Sequence, residues 1–208
     1  SSLLGKNSSA LKTGDAEPEP PATARLYSNR FCPFAQRVAI YLAKKTIRTE
    51  IVNINLMSKP DWYFLKNAKG SVPTFEYEGK VVYESLIIAE YLDGIFPSTS
   101  ILPADPYKRA RQKILVEQLS VVITGCTTLF LALKSDKEDA EVLASVKKCR
   151  FALDDCEKLA CDNAPFFTDS APGFPDYMTF PFFELLWVLI TGKSVSNQSR
   201  LLCELEFG

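Results

Sequence analysis

Cys32 is the side chain in this sequence best placed for chemistry, because it directly precedes Pro33. Proline is favoured at the first position of a helix, so the pair places Cys32 at the helix N-cap. Backbone N–H groups and the helix dipole stabilise a thiolate there, which predicts a pKa below that of a free thiol. The other interpretation of the same residues is an inert, half-buried cysteine that happens to precede a helix.

The rest of the composition narrows what Cys32 can do. Position 35 is Ala, so no resolving cysteine stands at the usual spacing. A lone reactive thiol needs an external thiol to complete a redox cycle, and glutathione is the abundant cytosolic choice. The sequence contains no histidine, which excludes Ser-His-Asp and Cys-His catalysis and His-ligated zinc.

The other cysteines are interpreted as core residues with reduced thiols. No Cys-x-x-Cys pair occurs, so we expect neither a structural zinc site nor any other metal. A disulfide framework is not expected in a chain of this length without a signal peptide. The five residues are Cys126, Cys149, Cys156, Cys161 and Cys203.

Three further segments could bind a ligand around Cys32. Val72-Pro73 is a candidate cis-proline turn whose backbone could pair with a peptide, or a proline that simply begins a strand. Glu84-Ser85 precedes a helix and could hold an ammonium and a carboxylate, although a plain Ser N-cap explains the same residues. Lys59 could face another carboxylate, although a lone loop lysine is usually solvated. Together they suit a tripeptide with a carboxylate at each end.

Charge and hydropathy argue against two classes of partner. Lys and Arg number 24 and Asp and Glu number 25, so the near-neutral chain lacks a field to gather nucleic acid or anionic membrane. The most apolar stretch, Leu115 to Leu133, contains Glu117 and Gln118, so we expect no membrane span. The N-terminus shows no apolar signal core, which favours a cytoplasmic protein.

The order of predicted elements is that of an α/β thioredoxin-like domain followed by an all-α domain. Short strands are predicted from Arg25 and over 49–56, a hairpin over 71–83, and helices from Pro33 and from Glu84. Long helical stretches follow. The predicted boundaries are a flexible Pro-rich leader over 1–24, the thioredoxin-like domain over 25–97, a linker over 98–106, and a helical domain over 107–208 with helices at 107–134, 138–162 and 173–190.

Four stretches of the sequence closely resemble the omega-class glutathione transferases. They are RLYSNRFCPFAQR, NINLMSKPDWYFLKN, SVPTFEYEGKVVYES and EYLDGIFP. The resemblance implies the cytosolic glutathione transferase architecture, a homodimer, and glutathione as co-substrate. It also implies glutathione-dependent thiol transfer and dehydroascorbate reduction through a glutathione mixed disulfide.

The same resemblance implies a role for each matched residue. Cys32 would be the catalytic thiol, with Phe34 beside it. Lys59 would hold the glycyl carboxylate, and Val72 would pair with the cysteinyl backbone. The γ-glutamyl end would be bound by Glu84 and Ser85.

The sequence departs from the family's pattern at two places. The family usually has Ser or Thr three residues before the Asp that caps the core helix of the second domain, whereas Gly173 stands before Asp176. Similarity also fades after Trp187, which suggests a shortened or divergent C-terminus. One alternative is an inactive isoform that acts by binding, made so by the altered C-terminus. The other is a non-enzymatic relative of the chloride intracellular channel proteins, which also carry a Cys-Pro-Phe helix start. We expect no stable membrane insertion, because Lys44, Lys45 and Arg48 end the helix after Cys32.

Overall fold

The computed structural model describes residues 9–134, 138–159, 165–168 and 170–191. Two compact units divide the chain, Ser1–Leu102 and Pro103–Gly208. Cys161, Cys203 and the divergent C-terminal tail from residue 192 onward lie outside the described residues.

A four-stranded mixed sheet forms the centre of the first unit. Its strands are β1 (Ala24–Ser28), β2 (Thr49–Asn53), β3 (Thr74–Tyr77) and β4 (Lys80–Tyr83). Their order is β2-β1-β3-β4, with β1 parallel to β2 and antiparallel to β3. The predicted hairpin joins β3 to β4, and its turn residues Glu78 and Gly79 both have positive φ, as a two-residue type I′ turn requires. The predicted thioredoxin-like fold is confirmed.

Three helices accompany this sheet: α1 (Pro33–Lys44), α2 (Tyr63–Lys66) and α3 (Ser85–Ile95). Helix α1 begins at Pro33 with Cys32 as its N-cap, as predicted. Its apolar residues recur at helical spacing, and Ala35, Val38 and Leu42 are fully buried. The inward side of α1 therefore fixes the direction in which its N-terminus points.

The described part of the leader, residues 9–23, contains no buried residue, which agrees with a segment that buries little, but its backbone has defined hydrogen-bond partners. Leu11 forms a parallel bridge with Ile54, directly after β2. Strand β2 itself ends at Asn53 and not at the predicted residue 56. Arg25 donates a hydrogen bond to the carbonyl of Glu19. Backbone pairing at the open edge of β2 gives this segment partners that its composition does not reveal.

A buried carboxylate, Asp93, fastens the end of α3 to the chain that follows. Asp93 accepts hydrogen bonds from Tyr41 Oη at 2.8 Å and from the backbone N–H of Leu102 at 2.8 Å. Its ion pair with Lys45 Nζ measures 2.7 Å. Lys45 is itself buried in this ion pair with Asp93. Burial disfavours the charged carboxylate and so raises its pKa, but these hydrogen bonds outweigh burial and hold the pKa of Asp93 below its usual value.

The second unit is helical, as predicted. Its helices are α4 (Pro106–Gln118), α5 (Ser120–Lys134), α6 (Asp139–Glu157) and α7 (Phe174–Thr191). The prediction of a single helix over 107–134 is wrong, because the helix is interrupted at Leu119. No Gly or Pro marks the break, so the periodic pattern runs through it without interruption.

The core of this unit forms where α5, α6 and α7 meet. Gly125 permits a close approach, since a Cβ there would lie 3.2 Å from the Cα of Cys149. Cys126 and Cys149 are buried, with their sulfur atoms 4.0 Å apart. Cys156 is buried in the same cluster, so these three cysteines are core residues, as predicted.

Helix α7 begins with half of a capping box. Asp176 accepts hydrogen bonds from the N–H of Gly173 at 2.8 Å and of Phe167 at 3.0 Å. The hydroxyl expected at position 173 is absent from that residue, but a Cβ at Gly173 would lie 2.5 Å from the hydroxyl oxygen of Thr168. Thr168 therefore occupies the space that a Ser or Thr side chain would need.

One segment of the described residues, Pro106–Leu133, is long and apolar enough to cross a membrane. This differs from the expectation that no such run exists, because Glu117 is the single charge in residues 116–133. A core helix of a globular protein passes the same test. Leu119, Val122 and Leu129 of this segment are buried against α6 and α7.

Replacing Asp93 with Asn should lower the free energy of unfolding by about 3 kcal/mol, because the charge of Lys45 would stay buried without its partner. The exposed Asp61→Asn variant is the control, and urea unfolding measures both. The native pKa of Asp93 lies below its unfolded value, so the carboxylate stabilises the fold above that unfolded pKa. Its contribution is lost as pH falls through the native pKa, and the gap between the unmodified protein and the variant should close there. A constant gap would contradict this account.

Candidate functional site

The loop between β1 and α1 presents Cys32 at the helix N-terminus. Asn29 shapes this loop: its side-chain oxygen accepts from the N–H of Phe31 at 3.2 Å, and its amide donates to the carbonyl of Ile54. Pro33 occupies the first helical turn, where its missing N–H costs nothing. Cys32 is half-buried at this point, while the ring of Phe31 is exposed. The thiol therefore lies at the surface end of α1.

The electrostatics of Cys32 correct the prediction made from the helix N-terminus alone. Burial raises the pKa of the Cys32 thiol above its ordinary value. The N–H groups of Ala35 and Phe34 and the charge of Arg37 act in the opposite direction but do not outweigh it. The prediction of a lowered pKa counted the stabilising N–H groups and omitted the loss of water around the sulfur.

Arg37 is a residue of this site that the sequence analysis missed. Its side chain is 3% exposed, and burial lowers the pKa of Arg37 to about 10, with the nearby Cys32 opposing the change. Its guanidinium lies 5.3 Å from the centre of the Phe34 ring and donates to the hydroxyl of Ser85 at 3.2 Å. The available signal was its spacing, three residues after Phe34 and four before Tyr41 on α1.

The Val72-Pro73 turn lies directly beside Cys32. The peptide bond is cis, as predicted. The thiol donates to the carbonyl of Val72, with 3.8 Å between sulfur and oxygen. Behind the turn, Tyr63 Oη donates to the carbonyl of Ser71 at 2.7 Å, and the amide of Asn67 donates to the hydroxyl of Thr74 at 3.1 Å. These buried bonds hold the backbone at the thiol.

Glu84 and Ser85 form the start of α3. Glu84 is the N-cap, not Ser85, and it adopts a φ of 74°, which is uncommon for a residue with a side chain. Its carboxylate pairs with Lys69 Nζ at 2.7 Å on the surface. Ser85 is buried and accepts the hydrogen bond from Arg37. An unusual backbone conformation that the surroundings maintain is typical of a binding site.

Lys59 lies on the loop between β2 and α2. Its Nζ lies 5.8 Å from the centre of the Phe64 ring. Its aliphatic part packs over Gly70, where an added Cβ would lie 3.1 Å from the Lys59 Cδ. Gly70 also has a positive φ of 60°. Both the limited space and the backbone conformation therefore favour glycine at this position. The Lys59 side chain is thereby placed against the segment that leads to Val72.

Some of the predicted site residues are brought together around the thiol, and others are not. Cys32 contacts Val72, and Arg37 joins Phe34 and Ser85 to the surroundings of the thiol. Lys59 and Glu84 contact other residues instead, namely Phe64 and Lys69. Within the described residues, no group of three or more His, Cys, Asp or Glu side chains is placed to hold a metal ion.

The site thus consists of a thiol at a helix N-terminus beside a cis-proline turn, in a thioredoxin-like unit that precedes a helical one. The family model described as the N-terminal domain of glutathione S-transferase matches residues 26–100. A fungal structure, glutathione transferase Omega 3C from Trametes versicolor, is 25% identical with a TM-score of 0.70, over 90% of this chain and 82% of that one.

Curated relatives identify the class. A probable glutathione transferase omega-2 of Caenorhabditis briggsae is 44% identical over 205 residues, which are 95% of this chain and 79% of that protein. The glutathione transferase omega-1 of Caenorhabditis elegans is 40% identical, over 89% of this chain and 72% of that protein. The chain belongs to the omega-class glutathione transferases, and the resemblance found in the sequence is confirmed.

Removing the charge of Arg37 should raise the pKa of Cys32, because the guanidinium favours the thiolate. In Arg37→Gln, alkylation of Cys32 by iodoacetamide should slow at neutral pH and approach the rate of the unmodified protein at alkaline pH. Arg37→Lys keeps the charge and should show a smaller rise. The exposed Arg48→Gln is the control. An unchanged pH profile in Arg37→Gln would refute the electrostatic role.

Proposed function

We propose that the chain is a glutathione-dependent thioltransferase and dehydroascorbate reductase in which Cys32 carries the reaction. The observation that supports this most directly is the placement of the Cys32 thiol at the N-terminus of α1, with the Val72 carbonyl 3.8 Å from its sulfur. In that place the thiol can attack a sulfur while the adjacent backbone holds a peptide strand. Glutathione is the co-substrate implied by the family.

The proposed thiol transfer has two displacement steps. The Cys32 thiolate attacks the glutathionyl sulfur of a mixed disulfide, which releases the acceptor as a thiolate that takes up a proton. A second glutathione, as its thiolate, then attacks the same sulfur on Cys32. Glutathione disulfide leaves and the Cys32 thiolate is restored. The sum converts one mixed disulfide and one glutathione into one thiol and one glutathione disulfide. The dehydroascorbate reaction balances as one dehydroascorbate and two glutathiones giving one ascorbate and one glutathione disulfide, the two thiols supplying both electrons and both protons.

The ends of the glutathione molecule are assigned to the charged residues around this centre. Lys59 would pair with the glycyl carboxylate, and Glu84 with the γ-glutamyl ammonium. The γ-glutamyl carboxylate would be received by Ser85 and the N–H groups at the start of α3. Val72 would pair with the cysteinyl backbone and Phe34 would flank the sulfur. Because Glu84 already pairs with Lys69, the ligand ammonium has to share or displace that contact.

We also propose that the protein is a cytoplasmic homodimer that neither inserts stably into membranes nor binds nucleic acid. The family supports the dimer. The near-neutral charge supports the absence of nucleic-acid binding. Cys32, Cys126, Cys149 and Cys156 are free thiols, which suits a reducing compartment rich in glutathione.

Replacing Cys32 with Ala should abolish thiol transfer from glutathione to a small mixed disulfide, because the attacking sulfur is gone. The fold should stay nearly intact, because the Cys32 side chain makes no capping hydrogen bond to α1. Cys156→Ala, which removes a thiol from the helical core, is the control and should remain active. Mass spectrometry after incubation with glutathione disulfide should find one glutathionyl adduct, on Cys32. Retained activity in Cys32→Ala, or an inactive unmodified protein that binds liposomes, would refute the proposal.

Lys59→Ala and Glu84→Ala should each raise the KM for glutathione, with little change in kcat at saturation. The loss of binding free energy should be on the order of 1–3 kcal/mol for each variant. Both side chains are assigned to the ends of the tripeptide and not to its sulfur. The effect at Glu84 should be the smaller one, because Lys69 competes for the carboxylate. The exposed Lys44→Ala variant controls for loss of a surface charge. A large fall in kcat would contradict this division of roles.

A further inference from the structure

The leader contains a tight turn over residues 12–15. The N–H of Asp15 donates to the carbonyl of Lys12 at 3.0 Å, and the Asp15 carboxylate accepts from the N–H of Lys12 at 2.7 Å. Gly14, the third residue of the turn, has a φ of 89°, as a type II turn requires. The turn is therefore specified locally, and it presents Thr13 at its corner.

This turn docks on the chain that follows β2. The N–H of Leu11 donates to the carbonyl of Asn53 and the N–H of Asn55 donates to the carbonyl of Leu11, both at 2.8 Å. These two bonds extend the ladder at the outer edge of the sheet, because β2 is its terminal strand. Further along, Trp62 donates from its indole N–H to the carbonyl of Asp15 at 3.0 Å. The loop that carries Lys59 is thus held by the leader on both sides of that residue.

Thr13 makes the contacts nearest to Lys59. Its N–H donates to the carbonyl of Ser58 at 3.0 Å, and its hydroxyl donates to the carbonyl of Lys59 at 2.9 Å. The hydroxyl of Ser58 donates back to the Thr13 oxygen at 3.1 Å. Thr13 thus fixes the backbone of two successive loop residues from a position 46 residues earlier in the chain.

We propose that Thr13 is a positioning residue for the glycyl end of the glutathione site, acting through the backbone of Lys59. This rests on the proposed function, in which the Lys59 ammonium pairs with the glycyl carboxylate. The leader holds the backbone of the loop that carries Lys59, and in this proposal that fixes where the Lys59 side chain starts. Its effect is therefore confined to the part of glutathione that Lys59 binds.

The test compares Thr13→Val with the unmodified full chain on two substrates, glutathione and glutathione amide, whose glycyl carboxylate is a carboxamide. Valine keeps the shape of threonine and removes its hydroxyl. Thr13→Val loses the hydrogen bond to the Lys59 carbonyl and the one from the Ser58 hydroxyl. The first of these acts on Lys59, and we expect its loss to raise the KM for glutathione about three- to tenfold with kcat unchanged. The KM for glutathione amide should change by less than about twofold, because Lys59 has no carboxylate to pair with in that substrate.

Two further variants separate positioning from general damage. Thr13→Ser retains the hydroxyl and should restore the KM for glutathione. Thr23→Val changes another leader threonine, whose hydroxyl contacts only the neighbouring Ala24 carbonyl among the bonds described, and should match the unmodified protein. Equal KM values for Thr13→Val and the unmodified chain would overturn the inference. An equal rise for glutathione and its amide would also overturn it, since a loosened fold would have that effect. Absence of glutathione turnover and binding in the unmodified protein would instead refute the proposed function, before any variant is compared.

Discussion

The placement of β1 between β2 and β3 is the constraint on which the site depends. Because β1 is parallel to β2 and antiparallel to β3, the C-terminal end of β1 meets the N-terminal end of β3. The chain leaving β1 enters α1 at Cys32, and the chain entering β3 passes through the Val72-Pro73 turn. Residues 40 positions apart are thereby brought to 3.8 Å. The thiol and its backbone partner are consequences of strand order, before any side chain is chosen.

Two opposing electrostatic effects act on the thiol at that junction. The helix N-terminus favours a thiolate, but the sulfur is largely removed from water, and the thiol donates a hydrogen bond to the Val72 carbonyl. Burial of the sulfur therefore raises the pKa of Cys32. Arg37 offsets part of this cost from the buried side of α1, and its own lowered pKa shows that it too is desolvated. One buried cation thus serves both the thiol and the hydroxyl of Ser85.

Features specified within one helix, strand or turn were predicted best. The Cys-Pro helix start, the Glu78-Gly79 hairpin and the cis bond at Pro73 each depend on a few adjacent residues, and each is confirmed. The interruption between α4 and α5 at Leu119 was not predicted, because no residue type marks it. The burial of Arg37 was not predicted, because a sequence pattern does not show that a charged residue on a helix is buried. The hydrogen bonds of the leader were not predicted either, because it pairs through backbone groups at the edge of β2, which composition does not encode.

Gly173 stands where the family usually has Ser or Thr, and the sequence alone does not show why. The explanation lies in a residue from the loop that precedes α7. Asp176 still accepts the N–H of Gly173, so one half of the capping box is intact. The second half would need a side chain at position 173, but the hydroxyl of Thr168 lies in the space that a Cβ at Gly173 would enter. A serine at Gly173 would therefore require the Thr168 side chain to shift. Glycine here is therefore coupled to Thr168, and the two positions have to be judged together.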